Sequence, residues 1–153
     1  MDDLDRRILT VLQHDSSLSL EAIAREVGSS KSPVWNRIRK LRDAGVIERE
    51  VAILDPATVG QDEVFFVAIK TSAHSAEWLD RFMRAIQEMP EIQEAHRLAG
   101  EIDYLLKVRV ADTRAFDAFY KRLVGEVELF AVTSSLSMET IKSTTAIDVS
   151  ASP

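Results

Sequence analysis

Apolar positions recur at helical spacing in three consecutive runs at the start of the chain. Residues 2–14 and 20–27 carry apolar side chains three and four positions apart, which is the repeat of one face of an α-helix. A third run starts after Ser30, a good helix cap, and ends at Gly45, which suits a left-handed cap. The apolar stripe of this third run consists of Val34, Ile38 and Leu41. We predict a three-helix unit, because two short helices alone would bury too little surface.

The opposite face of the third predicted helix is polar and basic. A helix turns by about 100° per residue. On this basis one set of residues lies at the start of the helix, on the face opposite the apolar stripe, or at the edges of that face. These candidate DNA-binding residues are Ser30, Lys31, Ser32, Trp35, Asn36, Arg39 and Lys40. Arg37 falls beside the apolar stripe, so we expect it to form a structural ion pair before it reads a base. Two helices joined by a short polar turn, with a basic second helix, are typical of a helix-turn-helix that binds the DNA major groove. The alternative is an ordinary solvated helix pair.

Cations are concentrated in this helix pair although the whole protein is acidic. From Arg25 to Arg42 there are six cationic residues and one acidic residue. The net charge is −6; residues 1–50 hold nine Lys/Arg and nine Asp/Glu, which leaves ten and sixteen for the rest of the chain. This distribution fits a DNA-binding module joined to an acidic partner domain.

Strand-like and helical patterns alternate in the second half of the chain. Strand-like runs lie at 64–71, 92–99, 104–110 and 129–141, and helical runs at 75–88 and 112–124. The order βαββαβ predicts a ferredoxin-like arrangement, a four-stranded antiparallel sheet with both helices on one face, so the fold class of the chain is α+β. The run at 64–71 is apolar on both faces, and we therefore expect a second subunit to cover the free face of the sheet.

The chain is predicted to divide into two domains and a linker. A DNA-binding domain is expected at 1–50, an extended linker at 51–60, and an effector-binding and oligomerisation domain at 61–153. Residues 46–54 are rich in β-forming side chains and are expected to leave the first domain as an extended segment, such as one arm of a wing. The polar residues 142–153 are expected to be loosely held.

The composition argues against several classes of protein. Cysteine is absent, which excludes disulfides and thiolate metal sites. No apolar run approaches a membrane span and the first residues lack a signal-peptide pattern, so we expect a cytoplasmic protein without membrane contact. The histidines are scattered, and no zinc-protease, phosphate-loop or nucleophile-elbow motif occurs, so no catalytic residue, cofactor or metal site is predicted. An enzyme is the less favoured alternative. The intact basic helix also argues against a ligand-binding module with a vestigial DNA domain.

Five segments, in this order and spacing, match a known family nearly end to end. They are LDRRIL at 4–9, LSLEAIAREVGSS at 18–30, RIRKLRDAGVI at 37–47, LDPATVG at 54–60 and LAGEIDYLLKVRVAD at 98–112. The chain resembles the Lrp/AsnC (feast/famine) transcriptional regulators of bacteria and archaea. The resemblance implies an N-terminal helix-turn-helix and a C-terminal βαββαβ ligand domain. It also implies dimers that assemble to tetramers or octamers, and control of genes of amino-acid metabolism.

The same resemblance implies a small-molecule effector, usually an amino acid, at an interface between dimers. The Gly-x-x-Asp-Tyr turn of the family matches Gly100, Asp103 and Tyr104. Glycine lets backbone N–H groups approach a carboxylate, an aspartate can meet an ammonium group, and neutral hydroxyls of the last strand can bind nearby. The candidate effector-binding residues are Gly100, Glu101, Asp103, Thr133, Ser134 and Ser135. The alternative is a tight structural turn with Tyr104 in the core, which we favour for Tyr104 alone.

Trp35 stands where many members of the family carry a small residue, although a Pro-x-Trp version resembles this one. The indole ring could pack on the sugar–phosphate backbone, contact a thymine methyl group or fill the corner between the two helices. The sequence leaves these three roles open.

Overall fold

The computed structural model describes residues 1–73 and 75–150, which form two units. One unit contains residues 1–53 together with residues 141–150, and the other contains residues 54–140 as far as they are described. The polar terminal segment, which the sequence placed in the second domain, therefore groups with the first unit as far as Ser150. The part of that prediction that concerns residues 151–153 lies outside the described residues.

Three helices with well-defined caps form the first unit. They are α1 (Asp3–His14), α2 (Leu20–Glu26) and α3 (Lys31–Asp43). Asp2 and Asp5 each accept the other's backbone N–H at 3.0 Å, which caps the start of α1. The hydroxyl of Ser19 accepts the N–H of Ala22 at 3.2 Å and caps α2. Gly45 follows the end of α3 and has a φ of 71°, a left-handed conformation that glycine adopts readily.

The apolar stripes of these helices meet in one core, as the sequence predicts. The buried side chains are Ile8, Leu9, Ile23, Ala24, Val27, Val34, Ile38 and Leu41. Burying one aliphatic side chain of this size contributes about 1.5–3 kcal/mol relative to leaving it in water. Helices this short are only marginally stable in isolation. The packing of its buried stripe in this core therefore stabilises α3 and fixes its orientation within the unit.

The β-rich segment that follows α3 forms neither helix nor strand. Residues 48–55 have no regular structure, and Val51, Ile53 and Leu54 are exposed there. The arm of a wing suggested by the sequence is therefore not formed within this chain. A β-forming sequence becomes a strand only where another backbone offers hydrogen bonds, and no described strand pairs with this one.

The second unit has the predicted order of elements. They are β1 (Glu63–Lys70), α4 (Ala76–Glu88), β2 (Ile92–Arg97), β3 (Tyr104–Val110), α5 (Thr113–Glu126) and β4 (Ala131–Leu136). The strands lie in the order β2-β3-β1-β4, and every neighbouring pair is antiparallel. The predicted α+β class and βαββαβ arrangement are confirmed. The last strand is shorter than expected: it ends at Leu136, and the N–H of the following Ser137 donates to the Val64 carbonyl.

One face of the sheet is covered by the two helices and the other is open in the chain. Phe65, Val67 and Ile69 of β1 pack in one core with Phe82 of α4 and Phe119 of α5. Side chains alternate along a strand, so the residues between them point to the opposite face. These residues are Phe66, Ala68 and Lys70, and Phe66 is 41% exposed. No helix in the described ranges is both long and apolar enough to cross a membrane.

Candidate DNA-binding surface and effector site

The candidate DNA-binding residues form one exposed face of α3. All seven side chains are exposed, namely Ser30, Lys31, Ser32, Trp35, Asn36, Arg39 and Lys40. On the other side of the helix, Val34, Ile38 and Leu41 are buried in the core. The structure thus directs a polar, basic surface outward on a helix whose opposite face is anchored.

Arg37 has the structural role that its position beside the apolar stripe predicts. One of its terminal nitrogens lies 2.6 Å from the Asp2 carboxylate and 3.1 Å from the Asp5 carboxylate. The pKa of Asp2 is lowered, first by the backbone N–H of Asp5 and then by the Arg37 guanidinium. The pKa of Arg37 is raised, mainly by Asp2 and then by Asp5. This cluster ties the start of α1 to the middle of α3.

Trp35 lies at the surface of α3 and does not fill the corner between the helices. Its side chain is 50% exposed, and the guanidinium carbon of Arg39 lies 4.7 Å from the centre of the indole ring. A cation over an aromatic face at an exposed site contributes about 0.5–1 kcal/mol. The ring therefore supports Arg39 one helical turn further along the exposed face.

The cations at the two ends of α3 differ in their partners. Lys31 forms an ion pair with Glu21 of α2, with 2.9 Å between the ammonium nitrogen and a carboxylate oxygen, and Arg42 pairs with Glu50. Ser30 caps α3 only through its backbone, because its hydroxyl makes no capping hydrogen bond. Both ion pairs are exposed and therefore weak, so a phosphate group can replace the carboxylate at little cost.

The turn between β2 and β3 uses Asp103 to close the end of β1. One Asp103 carboxylate oxygen accepts the Thr71 N–H at 2.8 Å, and the Asp103 N–H donates to the Ile69 carbonyl at 2.9 Å. Gly100 has φ of 159°, a backbone conformation that other residue types rarely adopt. These contacts give Asp103 a structural role in the chain, whether or not it also meets an effector.

Tyr104 belongs to the core, as we favoured from the sequence. Its ring centre lies 4.6 Å from that of Phe82 and 6.0 Å from that of Trp78, both on α4. This position removes its ring from the open face of the sheet.

Glu101 has a partner that the sequence did not identify. Its carboxylate lies 3.0 Å from the ammonium nitrogen of Lys70 at the end of β1. Lys70 lies on the open face of the sheet, 31 residues away in sequence. Only the pairing of β1 with β3 brings the two residues together, although a lysine ending an apolar strand was a signal that could have suggested a site there.

The hydroxyl residues of β4 divide between the two faces of the sheet. Val132 packs against the helix-covered core, and because side chains alternate, Ser134 points to that same side. Thr133 and Ser135 point to the open face, where they lie opposite Ala68 and Phe66 of β1. The predicted effector set is therefore not one surface within a single chain. Thr133 shares the open face with Lys70, whereas Ser134 does not.

Two surface depressions lie away from the candidate effector-binding residues. One depression is lined by Arg42 and residues 47–50, and another by Asp62, Val64 and residues 137–140. Neither contains a candidate effector-binding residue. Among residues 1–73 and 75–150, no group of three or more His, Asp or Glu side chains is arranged to hold a metal ion.

Two family descriptions match successive parts of the sequence. The AsnC-type helix-turn-helix domain matches residues 1–42, and the Lrp/AsnC ligand binding domain matches residues 64–147. Among characterised relatives, the DNA-binding transcriptional activator DecR of Escherichia coli strain K12 is 47% identical over 150 residues, which cover 97% of this chain and 99% of that protein.

Solved structures of similar proteins superpose over almost the whole chain. An AsnC family transcriptional regulator from Agrobacterium tumefaciens has a TM-score of 0.93 at 48% identity, and the match covers 96% of each chain. A transcriptional regulator from Neisseria meningitidis, solved as a complex with L-methionine, has a TM-score of 0.92 at 29% identity, again over 96% of each chain. Both matches include residues of the helix unit and of the sheet unit.

Proposed function

Because this chain belongs to the Lrp/AsnC family of transcription regulators, we propose that it regulates transcription by binding a specific operator through α3. The observation that carries this proposal is the exposed basic face of α3 above its buried stripe of Val34, Ile38 and Leu41. An anchored helix with a polar outer face has the shape and charge that fit a DNA major groove. The relatives are regulators rather than enzymes, which agrees with this function.

The exposed side chains of α3 divide into two kinds of expected contact. Ser30, Lys31 and Lys40 are suited to phosphate groups, which fix position and make binding depend on salt. The side chains suited to base edges are Ser32, Trp35, Asn36 and Arg39. An arginine reads guanine and an asparagine reads adenine through paired hydrogen bonds, so Arg39 and Asn36 are the proposed determinants of sequence.

We expect the protein to act as a homodimer that forms through the open face of the sheet. Phe66 and Leu105 are apolar side chains on this face, and Lys107 is already paired with Glu94 at 2.8 Å. Burying a paired charge costs less than burying a lone one, so a second copy can cover this face. Two copies of α3 would then read a pseudo-palindromic operator in the cytoplasm, with half-sites separated by whole helical turns.

Assembly beyond the dimer, to tetramers or octamers, is also proposed. Phe130 and Met138 flank β4 as exposed apolar side chains, and β4 is an edge strand with unpaired backbone groups. Exposed apolar surface beside a strand edge favours contact with another copy. Sedimentation velocity over a concentration series would detect these species, and a monomer throughout would contradict this part of the proposal.

The proposed effector is a small molecule, of which an amino acid is the best-supported class, bound where subunits meet. Gly100, Glu101 and Asp103 lie at the end of β1 beside Lys70. An ammonium group matches the acids, and a carboxylate matches Lys70, so the charges suit a zwitterion. Thr133 and Ser135 add hydroxyls on the open face, whereas Ser134 would have to act from the other side of the sheet.

The operator test is selection of bound DNA from a random pool, repeated with each of the twenty amino acids. A pseudo-palindromic consensus is expected, with a changed yield or affinity for at least one amino acid. Absence of any enriched sequence would contradict operator binding. Enrichment without any amino-acid effect, together with no binding heat in calorimetry, would contradict only the effector.

A further inference from the structure

Residues 147–149 return to the first helix and make specific contacts there. The side-chain amide of Gln13 donates to the Ile147 carbonyl at 3.0 Å and accepts the Ile147 N–H at 2.6 Å. Arg6 donates to the Val149 carbonyl at 2.8 Å. These partners are 134 and 143 residues apart in sequence, so the contacts depend on tertiary structure.

The spacing of the contacts shows that the terminal segment lies along α1. Arg6 and Gln13 are seven positions apart, which is close to two helical turns and places both side chains on one side of α1, about 10 Å apart. Ile147 and Val149 are two positions apart, so in an extended chain both present their backbone groups to the same side. The side chain of Val149 also packs against the core of the helix unit.

The same helix holds α3 through a different set of side chains. Asp2 at the start of α1 and Asp5 within it both pair with Arg37 of α3. A continuous series of contacts therefore leads from residues 147–149 to α1 and then to the helix that carries the DNA-binding face.

We infer that residues 147–149 support DNA binding by helping to hold the helix unit in position, and that Gln13 is the positioning residue that attaches them to α1. Loss of this attachment leaves the segment held on α1 only by the Arg6–Val149 hydrogen bond and the packing of Val149, so α1 and the Asp2–Asp5–Arg37 cluster vary more in position. The orientation of α3 becomes less well defined, and operator binding weakens although no DNA contact is removed. The DNA part of this inference rests on the proposed function.

The test compares operator affinity among full-length variants. Gln13→Met keeps the length of the side chain but removes both hydrogen bonds, and Val149→Ala removes the packing. Thr145→Ala is the matched control, because Thr145 is an exposed residue two positions before Ile147 and lies outside residues 147–149. Affinity for the selected operator is measured over a salt series, after thermal unfolding has shown that each variant is folded at the assay temperature.

Each of Gln13→Met and Val149→Ala is expected to raise the operator Kd about 3- to 10-fold, as loss of such contacts would. The slope of log affinity against log salt should not change, since no phosphate contact is lost. The operator affinity of the double variant should be little lower than that of the weaker-binding single variant, because both substitutions release the same three-residue segment from the helix unit. Hydrogen exchange at the Ile147 N–H should be faster in Gln13→Met and unchanged in Thr145→Ala.

Two results would overturn the inference. Unchanged operator affinity in Gln13→Met, with faster exchange at the Ile147 N–H, would show that Gln13 holds the segment on α1 but that this contact does not position α3. A smaller salt slope would show that Gln13 itself contacts DNA. If the unaltered protein selects no DNA, the proposed function fails instead, and slow exchange at Ile147 still reports on the contact with α1.

Discussion

The DNA-binding face of α3 and the turn at Gly100–Asp103 differ in how completely one chain builds them. On α3, every candidate side chain is exposed on one helix, and the same helix buries the stripe that anchors it. At the turn, Asp103 binds the Thr71 N–H and Glu101 binds Lys70, so two candidate carboxylates already have partners. A binding surface on one helix is complete in a monomer. A site built from several strand ends depends on the subunit or effector that packs against it.

The largest effect is expected from substitutions that compare the buried face of α3 with its exposed face. Ile38→Ala removes a buried side chain and is expected to lower the free energy of unfolding by about 2–5 kcal/mol, which includes the cavity left behind. Asn36→Ala, on the exposed face, should change it by less than about 0.5 kcal/mol. Urea denaturation followed by circular dichroism measures both values. Similar losses for the two variants would show that α3 has no distinct anchored and free faces.

The next test concerns base reading by Arg39. Arg39→Ala is expected to cost about 1–3 kcal/mol of operator binding, with a smaller loss on unrelated DNA, if Arg39 reads a base edge. Lys40→Ala is the neighbouring control, and it should weaken binding about equally on all sequences and reduce the salt slope by about one. Fluorescence anisotropy with operator and scrambled duplexes gives these values. Equal losses on both duplexes for Arg39→Ala would assign Arg39 to phosphate.

The two roles of Asp103 can be separated by a matched pair of variants. Asp103→Ala leaves the buried Thr71 N–H without its acceptor and should cost about 1–3 kcal/mol of stability. Asp103→Asn keeps an oxygen for that N–H but removes the charge, so stability should change little while binding of an amino-acid ammonium is lost. Unfolding and amino-acid calorimetry are measured on both. An Asn variant that binds the effector normally would leave Asp103 with its structural role alone.

The contact between Trp35 and Arg39 predicts a smaller effect. A double-mutant cycle with Trp35→Ala and Arg39→Ala should give a coupling of about 0.5–1 kcal/mol in operator binding, the contribution of an exposed cation–π contact. Trp35→Phe retains an aromatic face and should keep part of the coupling. Zero coupling would show that the contact with the indole ring does not support Arg39 in DNA binding.

The smallest expected effect is on the acid stability of the helix unit. The pKa of Asp2 lies below its ordinary value of 3.8, with the Asp5 N–H as the larger cause and Arg37 as the second. Its contribution is therefore complete above the ordinary pKa and is lost as the pH falls through the lowered value. Unfolding experiments between about pH 6 and pH 2 should show a smaller acid-dependent loss in Arg37→Met than in the unaltered chain. An identical loss would exclude Arg37 as a contributor.

Much of the candidate DNA-binding surface was predictable because a helix is a local structure. The repeat of Val34, Ile38 and Leu41 determined which side of α3 is buried, and the exposed residues followed from the same repeat. The position of Arg37 beside that stripe also predicted an ion pair, although its partners Asp2 and Asp5 were not identified. Alternation along β4 could have shown that Ser134 and Thr133 face opposite sides.

The sequence by itself determined the order of helices and strands and the outward face of α3, because these depend on side chains a few positions apart. The tertiary structure decided which distant residues meet: Lys70 with Glu101, and Gln13 with Ile147. Sequence patterns do not show which of these residues pair, since each contact forms only after separate elements have packed. For the same reason residues 147–149, which belong to a segment that polar composition predicted to be loose, lie against α1 through their backbone hydrogen bonds.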